Sequence, residues 1–151
     1  MANATDLERA RTPVHLWIVG LLALLWNAIG VTDYVMMRSR NEDYFHSVMP
    51  GLNIGAMLAY MDSMPLLASI GWALGVWGAL AGTLLLLARG RHAVAAYLVS
   101  LIGAITAFAH QFTGPTPPAG MDDPVVPIMV TVIAIILLLY ARWMRARGVL
   151  R

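Results

Sequence analysis

Cysteine is absent from this 151-residue chain, lysine is absent too, and charged residues of both signs make up only 12%. Without cysteine there is no disulfide, no thiolate metal ligand and none of the thiol redox chemistry used by small quinone-linked membrane oxidoreductases. All ten basic residues are arginine and the formal net charge is +2, so there is no polybasic surface for nucleic acid. The chain also lacks a G-x-x-x-x-G-K-[ST] phosphate loop, a G-x-G-x-x-G turn, a G-x-S-x-G elbow and helix-borne carboxylate pairs at metal spacing. These absences predict a protein that is not an enzyme and holds neither cofactor nor metal.

What is present is apolar surface. Hydrophobic residues make up 60% of the chain and the mean hydropathy is +0.72, more apolar surface than a soluble domain of this size can bury. Lipid is the expected solvent. Four stretches run without Asp, Glu, Lys or Arg: 21 residues after Arg11, 26 after Asp62, 30 after Arg91 and 18 after Asp123. A bilayer core needs roughly 20 residues at about 1.5 Å each. The expected fold is therefore all-α, a four-helix transmembrane bundle in one integral membrane domain over 1–151, with helices near 14–37, 64–88, 92–112 and 125–145. The third run ends in a loop, since three prolines and two glycines fall within 113–120. The first run exceeds a signal-peptide core and lacks a small-x-small cleavage site, so it reads as a permanent helix.

Arginine placement predicts orientation. Eight of the ten flank one side of the expected bundle (Arg9, Arg11, Arg89, Arg91, Arg142, Arg145, Arg147, Arg151), against Arg38 and Arg40 on the other. Basic flanks stay on the cytoplasmic side, which puts both termini in the cytoplasm and argues against dual-topology insertion. The segment from 46 to 63 is too apolar for an exposed loop, and a short interfacial helix is expected from Leu52 to Tyr60. Ser63 with Pro65 fits the start of the second span, as cap and first-turn proline.

Candidate functional residues gather toward the outer side. Asn27, Gly30, Asp33 and Tyr34 share one face of the first helix. An amide in hydrocarbon must find a partner, so Asn27 is expected to point into the bundle. Asp33 is expected near the outer interface, either pairing with Arg38 or Arg40, accepting from Tyr34 or from an amide at a neighbouring helix end, or acting as a binding or proton-coupled carboxylate. Trp72 and His110 complete a candidate substrate set of Asn27, Asp33, Tyr34, Trp72 and His110. His15, His46 and His92 read as solvated or headgroup-facing. Gly71 with Gly75, and Gly78 with Gly82, form two small-x-x-x-small pairs that suit close helix packing within the chain or between copies. Clustered methionines near the outer connection read as gap fillers.

The strings Trp26-Asn27-x-x-Gly30-x-x-Asp33-Tyr34, Arg40-Asn41-Glu42-x-Tyr44, Trp72-Ala-Leu-Gly-Val-Trp-Gly78 and Gly148-Val-Leu-Arg151 resemble those of short four-helix bacterial membrane proteins described as sugar transporters. The resemblance implies transport of a small, sugar-like solute. Four helices enclose little volume, so a homo-oligomer is expected with it. The rival expectation is a non-transporting subunit that docks a larger membrane complex through its glycine stripe. Almost wholly apolar stretches at Leu84–Leu87 and Ile133–Leu139 weigh against a continuous polar path through one chain.

Overall fold

The computed structural model describes residues 12–119 and 121–151; Arg9, Arg11 and Gly120 lie outside the described residues. Its elements are all helical: α1 (Val14–Arg38), α2 (Glu42–Val48), α3 (Ile54–Asp62), α4 (Leu66–Leu87), α5 (Ala93–Thr113) and α6 (Val125–Ala146). Four of them, α1, α4, α5 and α6, are long and apolar enough to cross a membrane. That is the architecture of an all-α multi-pass membrane protein, with lipid as the solvent its exposed Leu, Ile and Val side chains require. The four spans end within two residues of their expected limits.

Packing runs as an arc in the order α1, α4, α5, α6. The centre of the arc is the α4–α5 seam, where small residues let the two backbones touch. A Cβ added at Gly71 would sit 2.9 Å from the Gly103 carbonyl oxygen, one at Gly75 3.2 Å from the Ala104 nitrogen, and one at Gly78 3.1 Å from the Ser100 backbone. Gly82 makes room for the Tyr97 ring, 2.8 Å away. Across the seam, Gly103 is the tightest position, since an added Cβ would come within 2.6 Å of the Gly75 nitrogen. The glycine stripe of α4 is thus turned toward α5.

The ends of the arc, α1 and α6, hardly approach each other along their backbones. They are joined by side chains where α1 begins and α6 finishes: the His15 Nδ1 and the Tyr140 hydroxyl share a hydrogen bond of 2.6 Å, and His15 stacks on Trp143 at 5.4 Å between centroids. His15 is therefore a tie between helices, which corrects its expected solvated place. Below it lies an apolar core of Leu16, Ala23, Leu86, Leu137, Ala141 and Met144 among others. The chain's last residues close this end. Gly148, at φ +69°, ends α6 so that Val149 N–H reaches the Met144 carbonyl at 3.1 Å, and Arg151 exchanges two 2.7 Å backbone hydrogen bonds with Arg89 and Arg91.

At the opposite end two short helices, rather than the single one expected, join α1 to α4. Asn41 caps α2 by accepting from the Tyr44 amide at 2.8 Å, and Asn53 caps α3 by accepting from the Ala56 amide at 3.0 Å. The expected helix over Leu52–Tyr60 is displaced by two residues because Asn53 is the better cap. Ser63 ends α3 instead of starting α4: its hydroxyl donates to the Tyr60 carbonyl at 2.7 Å, and Pro65 itself occupies the capping position of α4. Phe45 and Met57 bury themselves against Met37 and Leu52, which seats both short helices over the open mouth of the arc.

Candidate functional site: a one-sided cavity within the arc

The open arc leaves a cavity of about 500 Å³, within the size range of small-molecule sites. Its walls come from α1, α4, α5 and α6, and α2 and α3 overhang its mouth. Along α6 it follows one stripe from Val126 through Val130 and Ile133 to Leu137, eleven residues or roughly 16 Å at 1.5 Å per residue. The spacing of three and four keeps that stripe on one side of the helix.

Three buried polar groups form the floor. Asn27 on α1 donates to the Thr83 hydroxyl at 2.8 Å and, at 3.4 Å, to the Ala79 carbonyl on α4. Thr83 in turn shares a 2.8 Å hydrogen bond with the Tyr97 hydroxyl on α5. Burial in an apolar surrounding makes each of these partners costly to lose. The amide nitrogen of Asn27 is thus spent on α4, and the amide oxygen is the group it can offer the cavity. Beside them the Ser100 hydroxyl donates to the Gly75 carbonyl at 2.6 Å. Beyond this floor the apolar core closes the way.

The mouth is polar and acidic. Asp33 accepts a 3.0 Å hydrogen bond from the Tyr44 hydroxyl, which corrects the expected pairing with Arg38, Arg40 or Tyr34. Arg40 instead bonds Asp62 at 2.5 Å, with both side chains more than half exposed. Burial and the neighbouring carboxylate push the Tyr44 hydroxyl up from its ordinary range, so it keeps its proton and donates. Asp123 also lines the mouth and caps the first turn of α6 through the Val125 amide at 2.8 Å. Gln111 ties α5 to the loop before α6 by donating to the Met121 carbonyl at 2.7 Å.

No family, curated protein or solved structure matches this chain. The geometry therefore carries the reading alone.

Of the five candidate residues, Asn27, Asp33 and Trp72 line the cavity and two do not. Tyr34 stands behind, its ring edge-on to Trp72 at 4.9 Å and to Trp77 at 6.3 Å. His110 stacks on Tyr60 at 6.0 Å, and its Nε2 is buried without a hydrogen-bond partner. Tyr44, Tyr60, Tyr97 and Gln111 line the cavity and stand outside the candidate substrate set. Tyr44 carried the one available signal, an Asn-Glu-Asp helix start that places it one turn past a cap and near α1.

Proposed function

We propose that this protein is a small-solute carrier of the bacterial inner membrane, with both termini cytoplasmic and the cavity mouth facing outward. The asymmetry of α1 and α6 supports this: joined by His15, Tyr140 and Trp143 at one end, they stand apart around a ligand-sized cavity at the other. That is the shape of a carrier open to one side, in which solute access alternates as the two arms part at one end and close at the other. The eight-to-two arginine bias supports placing the closed end in the cytoplasm.

The sugar implied by the resemblance fits this lining poorly. Most lining residues are apolar, and much of the polar surface at the floor is already engaged within the protein. A polyhydroxylated solute would lose more hydrogen bonds to water than it regained. One chain already encloses a ligand-sized volume, so the reading needs no second copy. The accessory-subunit alternative loses its main support, because the glycine stripe that would dock a partner is occupied by α5.

Gly30 provides the test. It lines the cavity, and a Cβ there would meet nothing within 4 Å, so Gly30→Phe fills the space without straining the helix. In proteoliposomes offered a panel of sugars, amines and amphipathic solutes, saturable uptake by the wild type that is abolished in Gly30→Phe is the expected result. Uptake unaffected by Gly30→Phe, or none above empty liposomes for the whole panel, rules the carrier reading out.

A further inference from the structure

We infer that the solute is a hydrophobic cation, admitted to the cavity from the lipid between α1 and α6; this rests on the carrier reading and names its substrate. The first observation is electrostatic. Two carboxylates, Asp33 and Asp123, line the cavity, and among the described residues no arginine or histidine does. Among the described residues Asp33 is held by a neutral hydroxyl and forms no ion pair, while Arg40 is committed to Asp62. A half-buried carboxylate at the edge of a membrane is costly without a compensating charge, and a cationic ligand supplies one.

The second observation is the chemistry of the walls. Six aromatic side chains line the same space: Trp26, Trp72, Tyr44, Tyr60, Tyr97 and Phe108. Ring faces attract cations, most strongly where water is excluded. Methionine forms much of the rest of the outer half, a lining that adapts to irregular apolar shapes. Carboxylates, rings and thioethers without a basic group select for an apolar body that carries positive charge and select against anions.

The third observation is the doorway. Ile29 on α1 and Val126 on α6 both line the cavity, yet they are 60% and 55% exposed. They belong to the two helices of the arc whose backbones hardly approach each other. A molecule dissolved in the membrane therefore reaches the cavity sideways, without passing beneath α2 and α3.

The test is equilibrium binding to the full chain in lipid nanodiscs, read by quenching of tryptophan fluorescence, with tetraphenylphosphonium as the cation and triphenylphosphine oxide as its uncharged counterpart. The expected result is saturable binding of the cation at least about tenfold tighter than the neutral probe, a comparison that needs no variant. In Asp33→Asn the cation should weaken about 30-fold while the neutral probe is unchanged, the size of effect seen when one member of a desolvated charge pair is removed. Gly30→Phe should abolish both. Equal binding of the two probes overturns the cationic assignment and leaves the carrier reading standing. Binding that survives Gly30→Phe removes the cavity itself, and the carrier reading with it.

Discussion

The α4–α5 seam and the α1–α6 gap are built on opposite plans from helices that are all apolar enough to cross a membrane. At the seam, glycine faces backbone and there is no room for a methyl group; at the gap, bulky side chains face a cavity and there is room for a phenyl ring. The seam holds the bundle together, because close backbone contact is the main source of helix association where lipid is as apolar as the helix. The gap is where the molecule can spare contacts. One region spends its sequence on stability, the other on enclosing a cavity.

The largest effect that would sharpen this contrast is expected from Gly103→Ala. Its new Cβ would meet the Gly71 carbonyl and the Gly75 nitrogen, and backbone cannot swing aside. A loss of about 1–3 kcal/mol or more is expected, read as early thermal aggregation in detergent. A Gly103→Ala protein as stable as wild type would break the comparison.

Thr83→Val comes next. It keeps the shape but leaves Asn27 without its close acceptor and removes the partner of the Tyr97 hydroxyl, so a loss of about 1–2 kcal/mol is expected in reversible SDS unfolding. Tyr140→Phe removes one hydrogen bond between the arms, for which about 0.6 kcal/mol is typical in a membrane bundle. Its sharper readout is a spin-label distance across α1 and α6 at the His15 end, which should broaden; an unchanged distribution would show that Trp143 stacking alone holds the arms. Asp62→Asn is expected to be smallest, below about 0.5 kcal/mol in the same unfolding assay, because the pair it breaks is exposed and screened.

Orientation adds a prediction that does not concern stability. The chain has no native thiol to remove, so a single cysteine at Ser39 should react with a membrane-impermeant maleimide added to intact cells. Labelling only after lysis would reverse the assigned orientation.

The spans were legible because length and lack of charge alone define them, and no tertiary contact is needed to see 21 uncharged residues in a row. The short helix α2 was legible in principle: Asn41, Glu42 and Asp43 form a cap and an acidic first turn. The cavity was not. Its floor joins Asn27 to Thr83 across 56 positions and Thr83 to Tyr97 across a turn, and only the order of packing brings them together. Asn27 announces its need for a partner by chemistry, but the partner is chosen by geometry. Asp33 shows the same limit: two arginines lie close in sequence, yet the turn after α1 carries Arg40 to Asp62 and returns Tyr44 to the carboxylate. Gly103 and Ala107 have small-x-x-x-small spacing on α5, and the role of Gly103 appears only against the stripe of α4.

The methionine lining has a chemical consequence of its own. Met37, Met49, Met57, Met61, Met64 and Met121 border the mouth, and in a chain with no cysteine thioethers are the only sulfur an oxidant can find. Each sulfoxide replaces an apolar contact with a strong dipole. Ageing in air or peroxide would therefore convert the greasy collar to a wetted one, mouth first, while the glycine seam, which has no sulfur to lose, keeps the bundle folded around an altered cavity.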